Sequence, residues 1–263
     1  MKPTTSSLIE LKDVKLRFGE KTILDGVNLS AKKKDILVIM GLSGGGKSTL
    51  LTIILGLLEA QGGSVIFKDE DLTQLPRPKL NLARTHMGMV YQNAALVSSL
   101  NVWDNVALPL RELSDKKEDE IESTVEAKLK QVDLAEAKDK LPDELSGGMK
   151  KRIGLARALV LDPELILFDE PSAGLDPINT KLIDDLIIEL REKHQATSIV
   201  VTHEMESAFA IATRMAFLEK GKIILEGTPD EFRNSDNPTV SKFLASYSAH
   251  AESQGASHAS AQK

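Results

Sequence analysis

Gly41-Leu42-Ser43-Gly44-Gly45-Gly46-Lys47-Ser48-Thr49 places bare backbone, one ammonium and several hydroxyls in a single run. Backbone N–H groups converge on an anion only where no side chain intervenes, and Gly41, Gly44 and Gly46 give that freedom, with Gly45 adding more. Lys47 provides a point charge for the β- and γ-phosphates of a nucleotide, and the Ser48 hydroxyl suits a magnesium ligand. Far along the chain, Asp169 and Glu170 follow the apolar run Leu165-Ile166-Leu167-Phe168. They emerge at the carboxyl end of a buried strand, where sheets of this kind place their ligands. Asp169 can hold a magnesium-bound water or the ion itself, and Glu170 can polarise an attacking water as general base. Pro171 follows directly, so two acids opening a surface turn is the bland reading; the phosphate loop in the same chain favours the catalytic one.

Three further positions carry weaker signals. His203 ends the apolar run Ser198-Ile199-Val200-Val201-Thr202, where an imidazole can donate to a γ-phosphate and report its presence. Gln92 follows the apolar residues 87–91; its amide oxygen can reach magnesium, although a plain edge-strand glutamine looks the same. Leu145-Ser146-Gly147-Gly148-Met149 opens a helix whose Ile153, Ala156, Leu159 and Val160 face inward. Ser146 and two bare backbone positions at a helix start form an anion site, or simply an N-cap.

Positioning these groups requires a scaffold. Residues 7–18 and 22–31 read as strands, because Ile9, Leu11, Val14, Leu16 and Phe18 mostly alternate with polar residues. Gly19-Glu20-Lys21 marks the turn between them. The apolar run 36–40 enters the glycine loop and residues 47–58 follow as a helix, the strand–loop–helix context of a phosphate loop, with the positive dipole end at the anion. Residues 62–67 return as a strand. Residues 93–160 read as helical, with Asp115 and Glu118 as a capping box and Ile121, Val125, Leu129 and Val132 on one face. The charge run 115–122 reads as the solvated side of that helix. Strand 164–169, helix 178–194, strand 197–202, helix 204–213 and strands 214–219 and 222–226 then alternate, which implies an α/β fold with a mostly parallel sheet covered by helices. Residues 246–263, rich in Ala, Ser, His and Gln, read as a mobile tail.

Composition narrows the function classes. A length of 263 residues suffices for a full core in one domain with subdomains. The formal net charge of −6 offers no basic footprint for nucleic acid, and no polybasic run suggests direct lipid binding. The chain has no cysteine, which excludes disulfides, Cys-based zinc sites and thiol catalysis. Residues 1–7 lack the apolar stretch of a secretory signal. The longest apolar run, 50–58, is about half of what a bilayer span needs. The expectation is a protein that does not cross a membrane itself but can sit against one through a partner.

Taken in order, these motifs resemble the nucleotide-binding subunit of an ABC transporter, over residues 8–228. Residues 41–49 are similar to the family's Walker A loop, Gln92 to its Q-loop, residues 145–149 to its signature, and Asp169-Glu170 to its Walker B end. Ser172-Ala173-Gly174-Leu175-Asp176 is similar to its D-loop and His203 to its switch histidine; Phe18 falls where an aromatic residue stacks on adenine. The resemblance implies a P-loop NTPase (RecA-like) core, an antiparallel β subdomain and an α-helical signature subdomain near 93–160, forming an ATP-binding domain over 1–228 with a helical extension and tail over 229–263. It implies ATP and Mg2+ as ligands. Phe18, Gly41, Ser43, Gly44, Gly45, Gly46, Lys47, Ser48, Thr49 and Gln92 would bind the nucleotide, together with Ser146, Gly147, Gly148 and Asp176 of the interface. Glu170, His203 and Lys47 would be catalytic, and Ser48, Gln92 and Asp169 would face the metal. It further implies a head-to-tail dimer in which Ser146 and Gly148 of one copy close over the γ-phosphate held by Lys47 of the other.

Met149 departs from the glutamine usual in the signature. Residues 145–152, however, resemble a subgroup, the ATPases of Mla/MCE lipid transporters (the MlaF-like proteins), as do residues 108–112, 227–229 and 234–236. That resemblance implies an ATPase driving transport of phospholipids or related hydrophobic molecules, peripheral on the cytoplasmic side of the inner membrane. Its partners would be an integral membrane permease, an MCE-domain protein and a small regulatory subunit, the last with the tail as its contact. Residues 94–105 are expected to relay closure to the permease, with Val102 and Trp103 either touching it or packing in the core. A small-solute ABC importer shares every catalytic motif, and a soluble cluster-assembly ATPase has a similar length; both stay open.

Overall fold

The computed structural model describes residues 7–246. Strands β1 (Ser7–Phe18) and β2 (Lys21–Lys32) form an antiparallel hairpin in which Ile9, Leu11, Val14 and Leu16 are buried. Phe18 breaks the alternation: at the hairpin tip it is 54 % exposed and contributes nothing to the core. Strand β3 (Ile36–Met40) is wholly buried and enters the glycine loop, from which helix α1 (Lys47–Ile54) begins. This helix stops short of the expected residue 58. Gly56 takes a φ of 63°, its N–H donates to the Ile53 carbonyl and that of Leu57 to the Thr52 carbonyl. That pair of bonds is a Schellman termination, which a glycine in the left-handed region makes cheap.

Strands β4 (Gly62–Phe67) and β5 (Glu70–Asp71) complete the first sheet, ordered β2-β1-β4-β5 with antiparallel neighbours throughout. Helix α2 (Arg77–Thr85) has no fully buried residue; its Leu80 and Ala83, three apart on one face, pack half-buried against the first core. Arg84 adds to that docking: its guanidinium donates to the Leu55 and Gly56 carbonyls at 2.8 and 2.5 Å and so caps the end of α1.

The remaining elements are β6 (Met87–Val90), α3 (Val102–Leu113), α4 (Glu118–Gln131), α5 (Gly147–Leu159), β7 (Leu165–Asp169), α6 (Pro177–His194), β8 (Thr197–Val201), α7 (Met205–Ile211), β9 (Arg214–Glu219), β10 (Lys222–Gly227) and α8 (Pro229–Arg233). The second sheet is ordered β10-β9-β3-β8-β7-β6, parallel except for the β9–β10 hairpin. Its central strands are apolar on both faces because both are covered. Leu37, Ile39, Leu165, Leu167 and Ile199 pack towards α1 and the antiparallel sheet. Ile36, Val38, Ile166, Phe168 and Val200 pack towards residues of α6 and α7 and Phe232 of α8.

Helices α3, α4 and α5 enclose a third core around Val106, Leu110, Val125, Leu129, Ile153 and Ala156. Val102 is fully buried there and Trp103 packs against it, so both serve the core. The capping box starts two residues later than expected: the Glu120 carboxylate accepts from the Lys117 N–H at 3.0 Å. Glu118 is drawn away by Arg111, which binds it from α3. Ser246, expected to open the tail, lies in helical residues 238–246 and donates to the Phe243 carbonyl. The tail expectation for 247–263 falls outside the described residues. Among the described residues no helix is long and apolar enough to cross a membrane.

Asn105 shapes the segment that follows β6. Fully buried on α3, its amide nitrogen lies 3.1, 3.0 and 2.9 Å from the carbonyls of Val97, Leu100 and Asn101, and its oxygen accepts the Val97 N–H at 2.8 Å. Truncation strands several buried groups at once, so Asn105→Ala is expected to cost about 3 kcal/mol, read as a lower urea midpoint at unchanged slope.

Candidate active site

The carboxyl ends of β3, β7 and β8 lie side by side, and each delivers part of the site. After β3, Gly41 takes a φ of 150° against the backbone of β9; a Cβ there would sit 2.1 Å from the Leu218 carbonyl oxygen, so no other residue fits. Gly46, with φ 95°, turns the loop into α1 and leaves the first N–H groups of that helix facing outward. Lys47 is buried, and its Nζ donates to the Gly41 and Leu42 carbonyls at 2.8 and 3.1 Å. Those bonds anchor the ammonium at the loop and leave one N–H for a phosphate. Burial pulls the lysine below its usual range, and the charges of Glu170 and Asp169 oppose that shift. Ser43, Gly44 and Gly45 line an adjoining cleft of about 460 Å³, with Thr22 and Ile23 of β2 and Lys220 opposite. Lys21, the first residue of β2, lines it as well, and Phe18 does not.

At the end of β7, Asp169 accepts a hydrogen bond from the Ser48 hydroxyl at 2.8 Å. Burial pushes its carboxyl up and Glu170 adds to that, while the Ser48 bond and Lys47 hold it down. Glu170 stands in the left-handed region with φ 51° and donates its N–H to the Val201 carbonyl at 2.8 Å. Its Oε2 meets His203 twice, accepting from the backbone N–H at 3.2 Å and lying 2.8 Å from Nδ1. Thus Lys47, Ser48, Asp169, Glu170 and His203 form one cluster, as the sequence suggests. Hard oxygens from Ser48 and Asp169 at the loop mouth fit Mg2+, which takes one or two protein oxygens and completes its shell with phosphates and water. Gln92 is exposed in the turn after β6 and shares no hydrogen bond with Ser48 or Asp169.

The signature residues stand apart from that cluster. Ser146 caps α5, accepting from the Met149 N–H at 3.3 Å. Gly147 faces open space, and Gly148 lies against Asn179 of α6, where a Cβ would come within 3.0 Å of the amide oxygen. Asp176 is the cap of α6: it accepts from the Asn179 and Ile178 N–H groups at 3.0 Å, and these bonds, that of Asn179 foremost, hold its carboxyl below the usual range. None of Ser146, Gly147, Gly148 and Asp176 is hydrogen-bonded to the phosphate loop within the chain.

Two cations missed in the sequence bridge these parts. Arg157 of α5 donates to the Ala94 and Ala95 carbonyls at 2.7 and 2.8 Å, holding two consecutive alanines with φ of 57° and 48° just after Gln92. Lys151, also on α5, reaches the Ala173 carbonyl at 2.5 Å and that of Glu170 at 3.4 Å. The available signal was a lysine at helical spacing with Gly148 and Leu155 on the buried face of α5.

A glycine loop leading from β3 into a helix, facing an Asp–Glu pair at the tip of the parallel strand β7 one strand beyond its neighbour β8, defines a P-loop nucleotide hydrolase. The sequence narrows that class: residues 24–173 match the profile of the ABC transporter family. The chain belongs to this family and is an ABC ATPase. It is 42 % identical over 238 residues to the intermembrane phospholipid transport system ATP-binding protein MlaF of Haemophilus influenzae, covering 90 % of each chain. Identity to MlaF of Escherichia coli K12 is 38 % over 244 residues, covering 93 % of this chain and 91 % of that one. A probable ribonucleotide transport ATP-binding protein, mkl, of Mycobacterium tuberculosis is 40 % identical over 236 residues, 90 % of this chain and 66 % of the relative. Among solved structures, a dimeric ATP-binding cassette in a post-hydrolysis state with ADP and Pi superposes with a TM-score of 0.78 at 32 % identity, covering 84 % of this chain and 98 % of that one.

Proposed function

We propose that the chain is the ATP-hydrolysing subunit of an Mla-type transporter that moves phospholipids or related hydrophobic molecules. The observation that carries this reading is the near-full-length match to the MlaF proteins, over 90 % of both chains in the Haemophilus case. In this reading the phosphates of ATP lie along residues 41–49, with the free N–H of Lys47 on the β- and γ-phosphates. Mg2+, held by Ser48 and Asp169 with Gln92 as a further oxygen donor, supplies charge neutralisation on those phosphates. Glu170 takes a proton from the attacking water as its oxygen bonds to the γ-phosphorus and the bridging P–O bond breaks, releasing ADP and phosphate. The 2.8 Å contact from Nδ1 holds His203 beside that carboxylate, within the same cluster as the γ-phosphate site.

Ser146 and Gly148 lie outside the phosphate cluster of their own chain, which supports a head-to-tail dimer in which each signature closes the partner's site. Ser146→Arg is therefore expected to leave ATP binding intact in filter assays and to depress hydrolysis about 10²- to 10³-fold by blocking closure, the loss of one transition-state contact. Retained hydrolysis would argue against the shared site. In this reading the assembly sits on the cytoplasmic face of the inner membrane against an integral permease, with an MCE-domain protein and a small regulatory subunit whose contact would be the tail, residues 246–263. Affinity capture from detergent-solubilised membranes, followed by lipid and protein mass spectrometry, tests this. A permease with an MCE-domain partner and phospholipid supports the reading; a small-solute receptor, as the name of the mycobacterial relative would favour, or soluble partners alone, would overturn it.

A further inference from the structure

We propose that Lys151 is the positioning residue for Glu170, and that through it the signature end of α5 reports to the catalytic base of the same chain. The lysine is only 8 % exposed, an unfavourable place for an ammonium unless hydrogen bonds replace its water. No carboxylate pairs with it among the described residues; its bonds go to the Ala173 and Glu170 carbonyls. Those two residues close one turn, the Ala173 N–H donating back to the Glu170 carbonyl at 3.3 Å. The lysine therefore fastens both ends of the turn that begins at the base.

That turn needs fastening. Glu170 occupies the left-handed region with φ 51°, a conformation that persists in a non-glycine residue only when its surroundings over-determine it. Its N–H is held by Val201 of β8 and its carbonyl by Lys151 of α5, so two separate elements fix the direction in which the carboxylate leaves the backbone. Pro171, next in the chain, narrows the conformations open to Glu170 by steric contact but makes no hydrogen bond that holds one of them. Lys151 lies in the second turn of the helix capped by Ser146, and a helix moves as a rigid unit over that distance. A displacement of the Ser146 end is delivered to the Glu170 carbonyl. This coupling rests on the head-to-tail dimer: the nucleotide held by one chain, on engaging Ser146 of the other, would adjust the base at that other chain's own site, linking the two sites.

The test compares the full chain with Lys151→Met, Lys151→Arg and, should the Met variant misfold, Lys151→Gln, whose reach is too short for both carbonyls. Lys151→Met leaves the Ala173 and Glu170 carbonyls without the ammonium, so its Tm should fall modestly and kcat is read well below that Tm. The expected result is a kcat lowered about 10- to 100-fold with KM and ATP affinity unchanged, and substantial rescue by Lys151→Arg. The parent is expected to show a Hill coefficient for ATP above one, and Lys151→Met a coefficient of one. An unchanged kcat well below Tm, a loss of rate that tracks a loss of ATP affinity, or no rescue by Lys151→Arg overturns the positioning role. A parental Hill coefficient of one, or undiminished cooperativity in Lys151→Met, overturns the coupling. Size exclusion of Glu170→Gln with and without Lys151→Met separates this from the dimer reading: equal ATP-dependent dimers support the proposal. If Glu170→Gln stays monomeric, the dimer and the coupling fall together, while the kcat of Lys151→Met still decides the positioning role.

Discussion

Glu170→Gln is expected to bind MgATP with near-parental affinity and to hydrolyse it about 10²- to 10⁴-fold more slowly, the usual contribution of a positioned general base. The substitution conserves volume and backbone demands, so the left-handed turn at Glu170 and its N–H bond to Val201 survive. An amide oxygen can still accept from the His203 N–H, now at 3.2 Å, so the local geometry is largely kept. What disappears is the lone pair that takes a proton, together with one negative charge near Lys47. Losing that charge leaves burial less opposed, so Lys47 shifts further below its usual range, a minor effect on affinity while the ammonium stays protonated. With binding intact and chemistry blocked, the variant should accumulate as an ATP-dependent dimer on size exclusion. Parental phosphate release in this variant would place the base elsewhere, with His203 the nearest group to examine.

The fold was legible where local chemistry and tertiary demand agree. Both-sided burial made β3, β7 and β8 continuous apolar runs, and their carboxyl ends then located the loop, the Asp–Glu pair and His203. Legibility failed where a single tertiary contact decides. Helix α2 offers only Leu80 and Ala83, half-buried, as an apolar face, and Arg84 completes its docking on main-chain carbonyls at the end of α1, which no periodicity encodes. The start of α4 shifted because Arg111, on another helix, captures Glu118. Phe18 belongs to the apolar alternation by type, yet the hairpin carries it past the last element able to cover it. Lys151 and Arg157 read as ordinary cations in a basic stretch; their acceptors are main-chain carbonyls of distant turns, and carbonyls leave no trace in residue types.

Lys47→Ala is expected to weaken ATP binding by about 2–4 kcal/mol, roughly 30- to 1,000-fold in Kd, the range for removing one partner of a desolvated charge contact. Equilibrium binding measures this directly, and unchanged affinity would remove residues 41–49 from the phosphate site. The same substitution has a signature that needs no nucleotide. Burial already raises the Asp169 carboxyl in the folded chain, and the Lys47 charge restrains that shift. A carboxyl with a raised folded value binds its proton more tightly folded than unfolded. Its contribution to stability is thus fully present below the unfolded value near 4 and is lost as pH rises through the folded one. Without Lys47 the folded value climbs further and the window of loss widens. The stability of Lys47→Ala should therefore fall more steeply than the parent's as pH is raised from about 4 through the folded value of Asp169. Adding Asp169→Asn should abolish the extra slope, and if the slope persists in that double variant, the cation and the carboxylate are not coupled as their geometry requires.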